Sequence, residues 1–420
     1  MGALNLQRNS EVFFSTIDLV NGAAATTMTP VNTWKVEVLA GFAVTSSSAT
    51  QDITSMESGT SPDRSQQRFN TAINPVDWNF QTYMRPTGAI TPAAAGTSNT
   101  GASSLTGNSK PVADWFMWQA LVSNTRVSSA ANTAEQSVWA GGGRLNTNTN
   151  ASPGNYISPT RSNFATAQEY FLYFKLDNVF YQVSNATINQ ATVDAGIEEI
   201  ATTTWAGMGT GLTELTGAVR TNAIAVFGSA GAAGNANAST ANAASSYHPY
   251  NQMNVAGTIA TNSFIKNRLS SISLSHNLSG TASTYTFPVT ALTFDYTNNM
   301  TYVTPEELST LNSPVGSFTG ARAVTGSVNM YLRSDSNESA QFLRNIAADS
   351  RTNHAQFASA NLIIGGTTGP YVAFNMPAVQ FDFPQLAIDD VIGMSVSFMA
   401  QEPTATKGSG GEVSITAAKV

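Results

Sequence analysis

The sequence predicts a mainly β fold: two tandem β-sandwich or open-barrel domains, each with one flanking α-helix. Three observations carry this expectation. Many short segments alternate apolar and polar residues with the period of two that a half-buried strand imposes. One of them, DWNFQTYMRP (Asp77–Pro86), is echoed by GSVNMYLRSD (Gly326–Asp335), so that Phe80, Tyr83, Met84 and Arg85 fall on Val328, Tyr331, Leu332 and Arg333. A longer stretch, VFYQVSNATINQATVDAGIEEIATTTW (Val179–Trp205), overlays PYVAFNMPAVQFDFPQLAIDDVIGMSV (Pro370–Val396) without a gap. There Val183 meets Phe374, Ile188 meets Val379, and the pair Glu198-Glu199 meets Asp389-Asp390. One folding unit written twice explains both matches.

Each copy opens with two strands: EVFFSTIDLV and NTWKVEVLAGFAV in the first, SFIKNRLSSISLS and TYTFPVTALTFDY in the second. A long polar loop follows, Thr45–Asn70 in one and Thr297–Arg322 in the other. The echoed strand comes next, and then a helix. In PVADWFMWQALVSN, Pro111 suits a first helical turn, and Val112, Trp115, Phe116, Trp118 and Leu121 outline an apolar face. In DSNESAQFLRNIAADS, Asp335 with Glu338 makes a capping-box-like start, and Phe342, Leu343 and Ile346 share a face. Three more strands complete the unit. The first copy is longer because Gly/Asn/Ser-rich insertions interrupt it, and such insertions belong in surface loops. The expected division is a first domain over 1–215 with insertions at 87–110 and 125–165, and a low-complexity linker or decoration over 216–260. A second domain covers 261–405, and an arm with a short strand-like end covers 406–420.

Composition narrows the function. Charged residues make up only 11% of the 420-residue chain, against roughly 25% in ordinary soluble domains. A surface so poor in charge associates, and is expected to be covered by partners. The net charge of −7 argues against a protein that grips nucleic acid, since that grip comes from Lys and Arg. The absence of cysteine excludes disulfides and thiolate metal sites, and His248, His276 and His354 share no ligand-like spacing. No metal or cofactor is expected. No apolar run approaches the roughly 18 residues of a membrane span, and the N-terminus, MGALNLQRNS, lacks a signal-peptide core. The expectation is a protein made in a cytoplasm.

Catalytic constellations are not found. GMGTG (Gly207–Gly211) and GGGR (Gly141–Arg144) lack the Lys-Ser/Thr of a phosphate loop and read as turns. Neighbouring carboxylates such as Glu198-Glu199 and Asp389-Asp390 point to opposite faces of a strand, which makes them a poor acid–base pair. Solvated charge at a strand's start is the plainer reading, and an electrostatic role on a functional surface is the sharper one. Arg85 and Arg333 read first as packing or salt-bridge residues. An enzyme is therefore not expected.

Four stretches resemble bacteriophage tail tube proteins: RFNTAINPVDWNFQTYMRP (Arg68–Pro86), VFYQVSNATINQATVDAGIEEIATTTWAG (Val179–Gly207), TYVTPEELSTLNSPVGSFTGAR (Thr301–Arg322) and VQFDFPQLAIDDVIGMSVSFMAQ (Val379–Gln401). The resemblance implies a β-sandwich with a flanking helix, built into rings that stack as a hollow tube in the virion tail. Four strands per domain would join neighbouring domains in a barrel through which double-stranded DNA passes without specific binding. Most members of the family have one tube domain and form hexameric rings. This chain departs from them by carrying two, which resembles the duplicated type that makes a pseudo-hexamer from a homotrimer. Partners implied are the chain itself, the tail terminator, tail-tip or baseplate proteins, and a sheath protein in contractile tails.

An acidic wall would repel phosphate and let DNA slide. Its candidates are Glu37, Asp52, Asp194, Glu198 and Glu199 in the first copy, with Asp295, Asp382, Asp389 and Asp390 in the second. Ring-to-ring stacking is expected from charges of the long loops: Asp52, Glu57, Asp63, Arg64, Arg68, Glu306, Glu307 and Arg322. Another class stays open at this point, a capsid-decorating or tail-fibre protein that binds a host surface.

Overall fold

Strand-forming alternation dominates the chain, and strands dominate the fold. The computed structural model describes residues 10–21, 33–53, 67–84, 114–122, 156–157, 169–177, 179–223, 265, 267–278, 281–308, 312–349, 358–365, 371–388, 390–402 and 412–418. The first half holds β1 (Ser10–Ser15), β2 (Thr33–Val36), β3 (Ala43–Thr45), β4 (Ser48–Ile53), β5 (Gln67–Ile73) and β6 (Val76–Tyr83). It continues with α1 (Trp115–Val122), β7 (Tyr156–Ile157), β8 (Tyr170–Leu176), β9 (Val179–Gly196), β10 (Thr202–Gly209), β11 (Gly211–Glu214) and α2 (Gly217–Ala223). The second half holds β12 (Ser271–Leu278), β13 (Thr281–Thr297), β14 (Thr301–Val303), β15 (Gly316–Phe318) and β16 (Ala323–Tyr331). After it come α3 (Ser339–Asp349), β17 (Ala358–Gly365), β18 (Tyr371–Phe381), β19 (Gln385–Ala387), β20 (Gly393–Ala400) and β21 (Ser414–Ala418). Among the described residues no helix is long and apolar enough to cross a membrane.

Antiparallel pairing closes on itself in the second half, and in the first half the same order passes from β2 to β3 along the chain rather than by pairing. In the first half β1 pairs with β2, β3 with β6, β6 with β10, β10 with β9, β9 with β8, and β8 again with β1. In the second half the same order runs β12, β13, β16, β20, β18, β17 and back to β12. All these pairings are antiparallel. The long strands make closure possible, because β9 pairs with β8 along one stretch and with β10 along the next. Bulges at Tyr170/Leu172, Ala206/Gly207, Val289/Ala291 and Ala358/Ala360 supply the bending. Closure leaves few edges exposed to chance pairing.

The echoed residues occupy like positions. Phe80 lies opposite Trp205 and Val328 opposite Val396. The Met84 N–H donates to the Ala201 carbonyl at 2.9 Å, and the Leu332 N–H to that of Ile392 at 2.9 Å. The gapless overlay of β9 on β18, however, misses the observed register by two residues. At the matching bulges Tyr170 faces Ala186 and Ala358 faces Val379. Likewise Gly207 faces Ile188 and Phe398 faces Phe381. Ile188 therefore corresponds to Phe381 and not to Val379, and the turn before β20 is shorter than the one before β10. A slip of two keeps every side chain on its own face, which is why the alternation matched regardless.

Of the three helices described, the two that were expected, α1 and α3, start later than expected, each tied to the strand before it. Asp114 precedes α1, and its Oδ2 accepts the Thr82 hydroxyl at 2.6 Å. That hydroxyl in turn accepts the Trp205 indole N–H at 3.0 Å. Before α3, Asn337 sits at φ 61°, which a helix cannot contain. The expected box of Asp335 and Glu338 is replaced: Gln341 Oε1 accepts the Asn337 N–H at 2.8 Å, and Ser339 Oγ accepts the Arg333 N–H at 2.7 Å. The two long loops are not structureless either, since each folds a hairpin, β4–β5 and β14–β15.

One hydrophobic core runs through both halves. Trp118 on α1 stands edge-on to Trp205 at 4.9 Å and to Phe374 on β18 at 5.9 Å. Phe374 stacks on Phe294 at 4.4 Å. In each half a glycine lies opposite an aromatic, with the roles exchanged. Gly207 on β10 faces Trp78 on β6, and Gly326 on β16 faces Phe398 on β20. A Cβ at Gly207 would stand 2.2 Å from the indole, and one at Gly326 would stand 2.3 Å from the phenyl. Only glycine leaves room for the ring across the ladder.

Candidate assembly interface

The second stretch of β9 carries strands on both of its edges. Gln190–Gly196 pairs with β13, Ala291 opposite Gly196 and Thr297 opposite Gln190, while the other edge of β9 pairs with β10. The two circuits thereby share one sheet, in the order β3, β6, β10, β9, β13, β16, β20. Alternation sends Trp78, Trp205, Val193, Phe294 and Val328 into the core. The opposite, open face carries Asn79, Gln81, Thr202, Thr204, Gln190, Thr192, Thr293, Thr325 and Ser327, with Asp77, Asp194 and Asp295 among them. No lysine or arginine occurs on β6, β10, β16 or β20, nor on the joined stretches of β9 and β13.

Polar contacts reinforce the joint on this face. Asp295 accepts from Gln190 Nε2 at 2.7 Å and Thr192 Oγ1 at 2.6 Å across the joint, and from Thr297 Oγ1 at 2.9 Å on its own strand. Thr293 and Ser327 hydroxyls meet at 2.8 Å, and Gln81 Nε2 donates to Thr204 at 3.1 Å. Partial burial first, and then the charges of Glu199 and Asp295, push the Asp194 carboxyl above the usual carboxylate range. No group of His, Asp and Glu able to hold a metal ion occurs among the described residues.

The β14–β15 hairpin of the second half locks onto the first. The Asn298 N–H donates to the Asn189 carbonyl at 2.9 Å, and the Met300 N–H to Asn189 Oδ1 at 2.8 Å. Asn298 Nδ2 donates to the Leu121 carbonyl at the end of α1 at 2.6 Å. The buried Tyr302 hydroxyl lies 2.7 Å from the Asn185 carbonyl, 3.0 Å from that of Met208 and 2.9 Å from Thr187 Oγ1. Burial raises this phenol's pKa. Asn312 bridges to β5 at Ala72. Sequence reading missed Asn189, Asn298 and Tyr302, because a lone amide or phenol in a polar loop carries no periodic signal. It missed Asp77 too, although strict alternation with Trp78 places that carboxylate on the open face.

The sequence-predicted residues fall in several places. Asp194 and Asp295 lie on the open face. Asp382 is exposed just after β18, Glu37 is exposed between β2 and β3, and Glu198 and Glu199 are exposed in the turn between β9 and β10. Asp390 is exposed in the equivalent turn before β20. Asp52 and Arg68 pair with each other across the β4–β5 hairpin at 2.5 Å. Glu306 and Glu307 are exposed between β14 and β15. Arg322, expected among exposed loop charges, is instead largely buried at the hairpin's base, ion-paired with Glu412 ahead of β21. Glu57, Asp63, Arg64, Arg85 and Asp389 lie outside the described residues.

The joint has two unmatched counterparts. β3 corresponds to the joined stretch of β13, and β19 with the residues before it corresponds to the joined stretch of β9. Among the described residues β3 pairs only with β6, and β19 only with β20. Exposure shows the consequence. Val193 and Ala195, covered at the joint, are 0% and 6% exposed, whereas the corresponding Leu386 and Ile388 are 46% and 80% exposed.

No family model matches the chain. A relative, the tail tube protein pb6 of Escherichia phage T5, is 26% identical over 402 residues, which take in 95% of this chain and 73% of that protein. A solved structure described as the cryo-EM structure of the anti-feeding prophage baseplate, six-fold symmetrised, covers 32% of this chain and 89% of its own. Its identity is 11% and its TM-score 0.23, too low to carry an argument.

Proposed function

We infer that this chain is a structural subunit of a bacteriophage tail tube, a component of the virion tail. Similarity to a tail tube protein over nearly the whole chain supports that role. The single observation that carries the geometry is the joint formed within the chain, with the counterparts of its two strands, β3 and β19, left unpaired on that edge among the described residues. The two circuits are tandem copies of one unit. The β19 edge of one molecule pairs with the β3 edge of the next as β9 pairs with β13, placing Ala387 opposite Ala43 and Leu386 opposite Val44. Such a contact uses two different surfaces on each chain, so it propagates from chain to chain and makes a ring where the rotation closes. Three chains per ring, giving pseudo-sixfold symmetry, is the closure that the resemblance to six-domain rings implies. Stacked rings then form a hollow tube.

The open face lines the lumen in this reading. Its small hydroxyls and amides stay hydrated, and Asp77, Asp194 and Asp295 repel phosphate without any basic residue to hold it. The exposed Glu198, Glu199 and Asp390 belong to the ends of the sheet rather than to that wall. Assembly without catalysis is the role proposed.

The test is the double variant Leu386→Asp/Ile388→Asp. Both side chains are already exposed in the isolated chain, so thermal stability should stay within about 0.5 kcal/mol of the parent. Charge on a strand edge blocks pairing, so electron microscopy should find no rings or tubes. Normal tubes from this variant would overturn the assignment.

A further inference from the structure

We propose that the β4–β5 hairpin docks sideways onto a second copy of this chain, in a seat centred on Asp382, rather than reaching toward the next ring. The proposal rests on the ring reading above and names a second contact within it. Its template is the way the β14–β15 hairpin sits on the first half. That hairpin leaves β13 directly after the joint and lies across the bulged part of β9. Asn189 takes two of its N–H groups, and the Asn185 and Met208 carbonyls take its tyrosine hydroxyl.

The β4–β5 hairpin leaves β3 in the same way. Its strands pair in a register matching β14–β15 to within one residue, so that the ion pair of Asp52 and Arg68 stands where Tyr302 and Ser317 stand. Among the described residues its contact with the rest of its own chain is at the base of β5, where the Ile73 N–H donates to the Asn312 carbonyl at 2.8 Å. Its residues are largely exposed, with Ile53 at 48% and Phe69 at 49%.

A corresponding seat, with nothing among the described residues lying over it, is formed around Asp382. Asp382 corresponds to Asn189, and Met399 corresponds to Met208. Met399 is 46% exposed, whereas Met208 is half-buried and its carbonyl accepts from the Tyr302 hydroxyl. The Asp382 main chain is fixed, its N–H donating to the Ser397 carbonyl at 2.9 Å. Its carboxylate offers acceptors where Asn189 offers one amide oxygen. The N–H groups of the Ser48–Thr50 segment are the donors that correspond to Asn298 and Met300. If β19 of one chain pairs with β3 of the next, this seat and this hairpin arrive together. The occupant is therefore a second copy, and the contact continues an interface already formed within the chain.

The chain has no cysteine, so engineered thiols report cleanly. Chains carrying Thr50→Cys are mixed with chains carrying Met399→Cys, which leaves Asp382 in place, co-assembled, and treated with a short bifunctional maleimide. A parallel mixture of Ala43→Cys and Ala387→Cys chains reports the strand joint. Docking predicts linked dimers from both mixtures. Linkage at the strand joint alone would overturn the docking and leave the ring reading standing. Linkage in neither mixture would take both down. As a second readout, Asp382→Asn should assemble like the parent, because asparagine is what the first half uses. Asp382→Ala should weaken assembly roughly 10-fold through loss of a charged acceptor. Equal assembly by Asp382→Ala would count against the seat.

Discussion

Asp295→Ala is the sharpest probe of the joint. The carboxylate accepts two hydrogen bonds from the partner strand, from Gln190 at 2.7 Å and Thr192 at 2.6 Å. A hydrogen bond to a charged group contributes about 1.5–3 kcal/mol when buried. All three side chains are half-buried, so water rescues part of that loss, and about 2 kcal/mol for the pair is the working figure. Asp194 gives back a little, because Asp295 is one of the charges that raise its pKa. A loss of 2 kcal/mol raises the population of the opened joint roughly 30-fold. Native-state hydrogen exchange reads this directly: amides of Gln190–Gly196 and Ala291–Thr297 should exchange roughly 30-fold faster, while those of β1 and β12 hold their rates. Both bonds land on Oδ1, so Asp295→Asn keeps them, loses the charge, and should cost about half as much free energy. Unchanged exchange at the joint in Asp295→Ala, or an equal rise everywhere, would refute the reasoning.

Two further outcomes follow from local geometry. Asp194 is held above its unfolded pKa, so stability linked to its protonation is present in full below the ordinary carboxylate value and is lost as pH rises through the raised folded value. Asp194→Asn, a mimic of the protonated form, should therefore stabilise the chain slightly at neutral pH, by about 0.5 kcal/mol given its exposure, and not at all in acid, as pH-dependent denaturation would measure. Gly326→Ala places a Cβ 2.3 Å from Phe398 and 2.5 Å from the Thr293 carbonyl and should destabilise by about 1–3 kcal/mol in chemical unfolding.

The mainly β fold was legible because burial on one face forces alternation, and alternation survives in the sequence even where partners are unknown. Two units were suggested for the same reason, and the strand-level overlay missed by two residues for the same reason. A period of two cannot distinguish a register from one shifted by a full repeat, so Ile188 seemed to match Val379 when its place is that of Phe381. Helix starts were misjudged because Asn337 adopts a left-handed conformation that no propensity announces. The open face was legible in part: Asp194 and Asp295 alternate with core residues, and so does Asp77, which was passed over. The hairpin contacts were illegible, since Asn189, Asn298 and Tyr302 work through single hydrogen bonds to a distant segment. Arg322 shows the opposite error, a charge assigned to solvent from its polar surroundings and found paired with a glutamate ninety residues on.

The exchanged glycine–aromatic pairs bear on how such a chain can change over generations. Two similar stretches in one gene invite recombination with each other. A crossover falling between β6 and β10 would join a first-half β6 to a second-half β20 and set Trp78 against Phe398 across one ladder, two rings where there is volume for one. The reciprocal product would set Gly326 against Gly207, with a void where a ring belongs. Either hybrid is poorly packed, so the two strands are inherited as a pair. The two exchanged pairs thus set a packing penalty on any recombination that parts a glycine from its ring.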